Sequence, residues 1–189
     1  MKYRLVGSEM CIRDRYKPSP NPDKNAYFGD LHVHTENSFD AYAFGTTASP
    51  NDAYKYAKGE AIKHPTGYQV QLSRPLDFYA VTDHGVFLGL MKEAADPNSE
   101  IGQYELTKPL HNLNEEVSNS IISIIRRANL FRPFAQELAN NVQDGTVDIK
   151  LLEKVSSDVW LKTIEAADQA NVPGTVSYTH LTLPTKQMV

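Results

Sequence analysis

The sequence predicts an α/β domain in which strands come first along the chain and helices follow. The stretch "AYFGDLHVHT" (26–35) alternates apolar and polar residues with a period of two, which is typical of a strand. The stretch "PLDFYAVTDHG" (75–85) is a nearly continuous apolar run, as expected for a buried strand of a parallel sheet. From about residue 100 to residue 171 the pattern changes to helical spacing. Together these patterns favour an α/β architecture.

A helix and a hairpin are predicted between the two strands. In "SPNDAYKYAKGE" (49–60), Ser49 is placed to cap the helix, Pro50 suits its first position and Gly59 ends it. The stretch "AIKHPTGYQVQL" (61–72) is typical of a hairpin that turns on its Pro-Thr-Gly sequence.

The helical region contains three apolar patterns. The first, "NLNEEVSNSIISIIRRANLF" (112–131), repeats its apolar residues at the spacing of one helical face. The next two are "DIKLLEKV" (148–155) and "SDVWLKTIEAADQAN" (157–171). We expect Asp148 and Ser157 to be the N-caps of two separate helices.

Composition narrows the classes of function. The chain has 189 residues, 22% of them charged, and a net charge of −4, so it lacks the basic surface by which nucleic acid is usually bound. No apolar run approaches the ~18 residues of a membrane helix, and we expect no membrane span. The single cysteine, Cys11, excludes an intramolecular disulfide and a Cys-x-x-Cys zinc site. Any metal must therefore be held by His, Asp and Glu, a donor set that suits Zn, Mn or Fe.

The two ends of the chain differ from the rest. Residues 176–180 can be encoded by GTC TCT TAT ACA CAT, whose reverse complement encodes residues 10–14. An inverted repeat of this kind resembles the transposon adapters of sequencing libraries. We therefore expect residues 1–15 and 176–189 to be translated adapter sequence that makes no tertiary contact with the core.

The natural segment is then residues 16–175. The ends carry five of the 19 basic and two of the 23 acidic residues, which leaves 14 basic and 21 acidic residues and a net charge of −7. This charge disfavours a nuclease or a polymerase-proofreading role. The sequence leaves both a cytoplasmic and a periplasmic location open.

Two histidines mark the end of the first strand. His32 and His34 are two residues apart, and side chains at this spacing lie on the same face of a strand. Ligands of α/β folds bind at the carboxyl ends of strands, and neutral imidazole is the commonest metal donor. The pair also fits a half-buried polar pair without a metal.

A second acid–histidine pair ends the other strand. Asp83 and His84 close "FYAVTDH", and parallel strands bring such ends to the same edge of the sheet. Asp83 also suits a helix or turn cap, and His84 also suits a surface position. The two pairs together predict a metal site.

The text around these pairs resembles a known superfamily. "GDLHVHT" followed by "FYAVTDHG" resembles the polymerase and histidinol phosphatase (PHP) superfamily of metal-dependent phosphoesterases. The longer stretches "YFGDLHVHTENSFDAYAFG", "SPNDAYKYAKGE" and "QLSRPLDFYAVTDHGVFLG" are similar to a large bacterial PHP-like family of unknown function. The resemblance is densest over residues 26–90.

The resemblance implies a fold and a set of metal ligands. The fold would be an incomplete distorted (β/α)7 barrel, with the first strands only and a helical insertion. The site would bind two or three divalent metal ions in the parent protein. His32 and His34 would bind one metal, and His84 a neighbouring one. Asp40 stands where the superfamily often has a further ligand, although it also suits a turn.

Three more residues are candidates with weaker signals. Asp83 and Asp30 would each orient a metal ligand without binding the metal. Arg74, just before the second strand, would face the phosphate of a small phosphorylated substrate; it also suits a loop anchor.

The resemblance further implies that residues 16–175 are the N-terminal part of the domain. PHP sites need a bridging glutamate and further histidines that come later in the chain, so the catalytic group would be a metal-bound water that this fragment holds poorly or not at all. Two other classes fit the same residues. One is a metal-binding module without turnover, and the other is an amidohydrolase-type enzyme that cleaves C–N bonds.

Overall fold

The structure is a computed structural model that describes residues 26–115, 121–172 and 177–180. The described strands are β1 (Gly29–Val33), β2 (Ile62–Lys63), β3 (Gln69–Val70), β4 (Phe78–Val81) and β5 (Ser177–His180). The described α-helices are α1 (Phe39–Ala43), α2 (Pro50–Ala57), α3 (Leu90–Ala95), α4 (Ile121–Gln143) and α5 (Ile149–Ala170). Two 3₁₀ helices, Ile101–Gln103 and Glu105–Leu110, lie between α3 and α4.

The main sheet is parallel and has the order β1-β4-β5. The two strands predicted from the sequence, β1 and β4, are neighbours in it. Gly29 permits their close approach, because a Cβ on this residue would lie 2.0 Å from the carbonyl oxygen of Phe78. The predicted mixed α/β class is therefore confirmed. The described residues form two small sheets and no closed barrel, and the (β/α)7 barrel stays a prediction.

The helix and the hairpin predicted between the strands are both present. Ser49 and Asp52 form a capping box at the start of α2, with the Ser49 hydroxyl accepting from the Asp52 N–H and the Asp52 carboxylate accepting from the Ser49 N–H. Strands β2 and β3 pair antiparallel, and Gly67 in their turn has a φ of 103°.

The two helices predicted over residues 148–155 and 157–171 are a single helix, α5. Asp148 caps α5 by accepting from the Lys150 N–H at 2.9 Å, as expected, but α5 continues through Ser157 to Ala170. The prediction of a cap at Ser157 is therefore wrong. Residues 149–170 contain no Gly or Pro, so the helical hydrogen bonds continue past Ser156 and Ser157.

Two apolar cores flank the carboxyl ends of β1 and β4. One joins α1, α3, both 3₁₀ helices and α4 around Met91, Ile101 and Leu110. The other packs α2 and α5 against β4, with Tyr54 and Val81 almost fully buried. None of the described helices combines the length and apolar character that crossing a membrane requires.

Residues 177–180 contradict the expectation that the end of the chain makes no tertiary contact with the core. Ser177–His180 pairs with β4 in parallel register, so this part of residues 176–189 does contact the core. An unpaired β4 edge offers a row of N–H and C=O groups, and aromatic and β-branched residues such as Tyr178 and Thr179 favour a strand there. The remaining residues of 1–15 and 176–189 lie outside the described residues. The origin of both ends as adapter sequence stays a prediction.

Candidate metal centre

Three potential metal ligands meet where β1 and β4 end. His34 follows β1 directly, His84 follows β4 after two residues, and Asp40 lies in the first turn of α1. Each offers one ligand atom, and these atoms all lie within 4.8 Å of one another. The parallel pairing of β1 with β4 produces this meeting, as expected from the sequence, and the group can hold a metal ion.

Asp40 is the centre of the hydrogen bonds in this group. Its carboxylate lies 3.0 Å from His34 Nδ1 and 3.4 Å from His84 Nε2, and it accepts from the Ser38 hydroxyl at 2.6 Å. Burial raises the pKa of Asp40, but the hydrogen bonds from Ser38 and the Ala41 N–H, with the two histidines, bring the pKa below its ordinary value. The group is therefore a carboxylate at neutral pH, the form that binds cations.

His32 lies beside the group without belonging to it. Its ring centroid is 4.9 Å from that of His34, and the His34 ring is 4.7 Å from that of His84, so the three imidazoles form one cluster as expected. Asp30 pairs with Tyr79 and Val33 with Val81, so β1 has one residue more than β4 between these two pairs. This extra residue forms a bulge in β1. Bulges redirect side chains, and His32 lies within this one, exposed to solvent.

Asp83 fixes the loop that carries His34. The buried Asp83 carboxylate accepts from the N–H of Thr35 at 2.5 Å and from its hydroxyl at 2.7 Å. Burial raises the pKa of Asp83, and the two hydrogen bonds from Thr35 only partly offset this. Asp83 thus acts on the neighbour of a ligand rather than on an imidazole. Its predicted part in orienting a metal ligand stays a prediction.

The two weaker candidates lie near the start of the sheet. Asp30 accepts from the backbone N–H of His32 at 2.9 Å. The Arg74 guanidinium lies over the ring of Phe28, with its carbon 4.7 Å from the ring centroid. The contact with Phe28 agrees with the alternative that Arg74 anchors a loop, and its role toward a substrate stays a prediction.

Comparison with known protein families shows the family of this chain. Residues 21–182 match a family described as "Protein of unknown function (DUF3604)". The chain belongs to this family. No curated protein and no solved structure matched it in the corresponding comparisons.

The site of this DUF3604 member contains a buried polar atom that a bound cation would satisfy. His34 Nε2 is buried and has no hydrogen-bond partner among the described residues. Leaving such an atom unpaired costs about 1–3 kcal/mol, and a ligated cation removes that cost. Two ligands of one first-row metal lie at most about 4.2 Å apart. The candidate ligand atoms, all within 4.8 Å of one another, are therefore near the spacing that one ion requires.

Sequence reasoning missed two residues of the site. Ser38 is fully buried, and its hydroxyl donates to Asp40 and accepts from the His84 N–H at 3.2 Å, so it joins two ligands. The ring of Phe39 lies 5.0 Å from that of His84. The available signal was the spacing of Ser38 two residues before Asp40, which is typical of a serine that binds a nearby carboxylate.

Proposed function

We propose that the chain carries part of the active site of a PHP-like, metal-dependent phosphoesterase. The observation that carries the proposal is the group of His34, Asp40 and His84 at the carboxyl ends of two parallel strands, in which the buried His34 Nε2 has no hydrogen-bond partner among the described residues. The fold of the whole domain would be the distorted (β/α)7 barrel. The parallel pairing of β1 with β4 supports it, since a barrel of this kind is built from parallel strands.

The donor set supports a first-row divalent metal. Two imidazoles and a carboxylate suit Zn, Mn or Fe. His34, Asp40 and His84 would hold one ion, and His32, whose ring lies 4.9 Å from that of His34, would bind a second. When bound, a divalent metal lowers the pKa of water and stabilises negative charge on a phosphoryl oxygen.

The chain's own groups would orient the reactants. Asp40 and His84 are each about one third exposed, at 32% and 35% of their side chains, so a small phosphorylated molecule can approach them from solvent. The Ser38 hydroxyl and the Asp83–Thr35 pair would keep the ligands in place as substrate binds. Catalysis of this kind depends on such fixed groups.

We expect this chain to be a poor catalyst by itself. One group of three clustered ligands is present among the described residues, whereas the proposed reaction uses two or three ions. The further ligands would come from other parts of the natural protein. Without them, neither a second ion nor the attacking water is held firmly.

The first experiment measures metal binding. Zn²⁺ and Mn²⁺ are titrated calorimetrically into the purified chain and into His34→Ala, Asp40→Asn and His84→Ala. His64→Ala is the matched control, because His64 lies in the hairpin turn, where it contacts Thr66. We expect one tight site, weakened at least about tenfold by each site variant and unchanged by the control. Equal binding by all variants would overturn the proposal.

The second experiment measures turnover. The chain and the uninterrupted natural protein are compared on p-nitrophenyl phosphate and bis(p-nitrophenyl) phosphate with each metal. We expect hydrolysis by the natural protein that His84→Ala removes, and little by the chain. A natural protein that binds metal but hydrolyses neither ester would favour a binding module, and cleavage of an amide instead would favour the amidohydrolase class.

A further inference from the structure

Helix α4 contacts both ends of α1, the short helix that carries the candidate ligand Asp40. Arg127 contacts the carboxyl end of α1, and Phe131 contacts its amino end. These two residues are four apart, so they lie on the same face of α4, one turn from each other. Helix α1 is five residues long and carries Asp40. A helix this short is not stable by itself and depends on packing against its neighbours.

Arg127 is a buried cation whose partners are carbonyl and amide oxygens. Only 4% of it is exposed, and its guanidinium donates to Ala43 O at 3.0 Å, to Tyr42 O at 3.4 Å and to Leu113 O at 2.5 Å. It also donates to the side-chain oxygen of Asn114. The last carbonyls of a helix have no donor from a following helical turn, and a cation there stabilises the helix end. At Tyr42 the carbonyl also accepts from the Gly45 N–H and from the Asn114 side chain, so Arg127 adds to these contacts.

Phe131 connects α4 to a metal ligand through one ring. The rings of Phe131 and Phe39 are stacked, 4.4 Å apart at 15°, and Phe39 also contacts the imidazole of His84 at 5.0 Å. Phe87 packs edge-on against both phenylalanines and has a φ of 56°, which only firm packing maintains in a non-glycine residue. The aromatic contacts thus connect α4 to the His84 ring.

We propose that Arg127 and Phe131 are positioning residues that hold α1, and with it Asp40 and His84, in the arrangement that binds metal. The helical region would then serve the metal centre rather than only cover the core. The inference rests on the proposed metal site, but the geometry that it describes exists without metal. It can therefore be tested in the metal-free protein as well.

The test uses conservative variants that keep the fold. Arg127→Lys keeps the charge but loses the planar fork that contacts several carbonyls, and Phe131→Leu keeps an apolar side chain but loses the stacking. Leu138→Ala is the control, because Leu138 is a buried core residue of α4 about 16 Å along the helix from Arg127. All measurements are made well below the melting temperature of each variant.

Two measurements separate positioning from general stability. In the metal-free protein, ¹H–¹⁵N spectra of the histidine rings report the surroundings of His84 and His34. In the loaded protein, calorimetry gives the Kd for Zn²⁺, and Co²⁺ absorption gives the ligand geometry. We expect Phe131→Leu to shift the His84 ring signals, and both variants to raise the Kd by about tenfold and alter the Co²⁺ bands. Leu138→Ala should leave the ring signals and the Kd unchanged.

The outcomes test the positioning role and the proposed function separately. Unshifted His84 signals in Phe131→Leu together with an unchanged Kd in both variants would overturn the positioning role. Equal changes in Leu138→Ala would also overturn it, because general loosening of the core would explain them. If the unaltered chain binds no metal, the proposed function fails, while the ring signals still decide whether Phe131 positions His84.

Discussion

The carboxylate of Asp83 holds both the N–H and the hydroxyl of Thr35, at 2.5 Å and 2.7 Å. Thr35 is the second residue after β1 and Asp83 the second after β4, and each is the neighbour of a histidine of the candidate metal site. This contact therefore fixes the spacing between the two ligand-bearing loops. Its loss should affect both stability and metal binding.

The Asp83–Thr35 contact is testable by replacing either partner. Asp83→Ala should lower the free energy of unfolding by about 1–3 kcal/mol, since the buried Thr35 N–H loses its acceptor. Thr35→Val removes only the hydroxyl and should cost less. Urea unfolding measures both variants. Equal stability of Asp83→Ala and the unaltered chain would show that the N–H finds another acceptor.

Ser38→Ala should weaken metal binding more than it weakens the fold. Its hydroxyl joins the Asp40 carboxylate to the His84 N–H, so both ligands lose one restraint. Removal of such supporting contacts typically costs about 10–100-fold in metal affinity. Calorimetric titration with Zn²⁺ gives the affinity, and thermal unfolding gives the stability. An unchanged Kd would mean that Asp40 is held sufficiently by its other contacts.

Ser49→Ala should weaken the fold more than it weakens metal binding. It removes the capping box of α2, which costs about 1 kcal/mol of stability, while α2 contributes no ligand to the metal group. Ser49→Asn, which keeps a capping side chain, is the matched control and should retain most of the stability. A large change in Zn²⁺ affinity in Ser49→Ala would contradict the separation of α2 from the site.

Gly29→Ala should be strongly destabilising because a Cβ would lie 2.0 Å from the Phe78 carbonyl oxygen, and β1 would have to move away from β4. Gly67→Ala is the comparison. Its Cβ would meet nothing within 4 Å, so it bears only the cost of a positive φ, about 1 kcal/mol. Urea midpoints rank the two. Equal midpoints would show that the sheet opens easily at this edge.

Removal of residues 176–189 tests the pairing of β5 with β4. We expect the shortened chain to have a lower melting temperature and a greater tendency to associate, because the edge of β4 becomes free. Calorimetry and light scattering measure the two effects. An unchanged melting temperature would show that Ser177–His180 adds nothing to the fold, as the adapter hypothesis first suggested.

The sequence by itself determined most of the local elements and indicated the candidate metal ligands. Period-two alternation and a continuous apolar run predicted β1 and β4, and capping chemistry predicted α2, because these signals act between residues close in the chain. The positions of His34 and His84 followed from one rule, that parallel strands end at the same edge.

Only the tertiary structure decided how the ligands are held. The bulge in β1, which leaves His32 outside the group, depends on the pairing with β4. The contacts of Ser38 with His84, of Asp83 with Thr35 and of Arg127 with α1 span 46, 48 and 84 residues along the chain. No local pattern encodes such contacts, since they form only when the two apolar cores bring distant segments together.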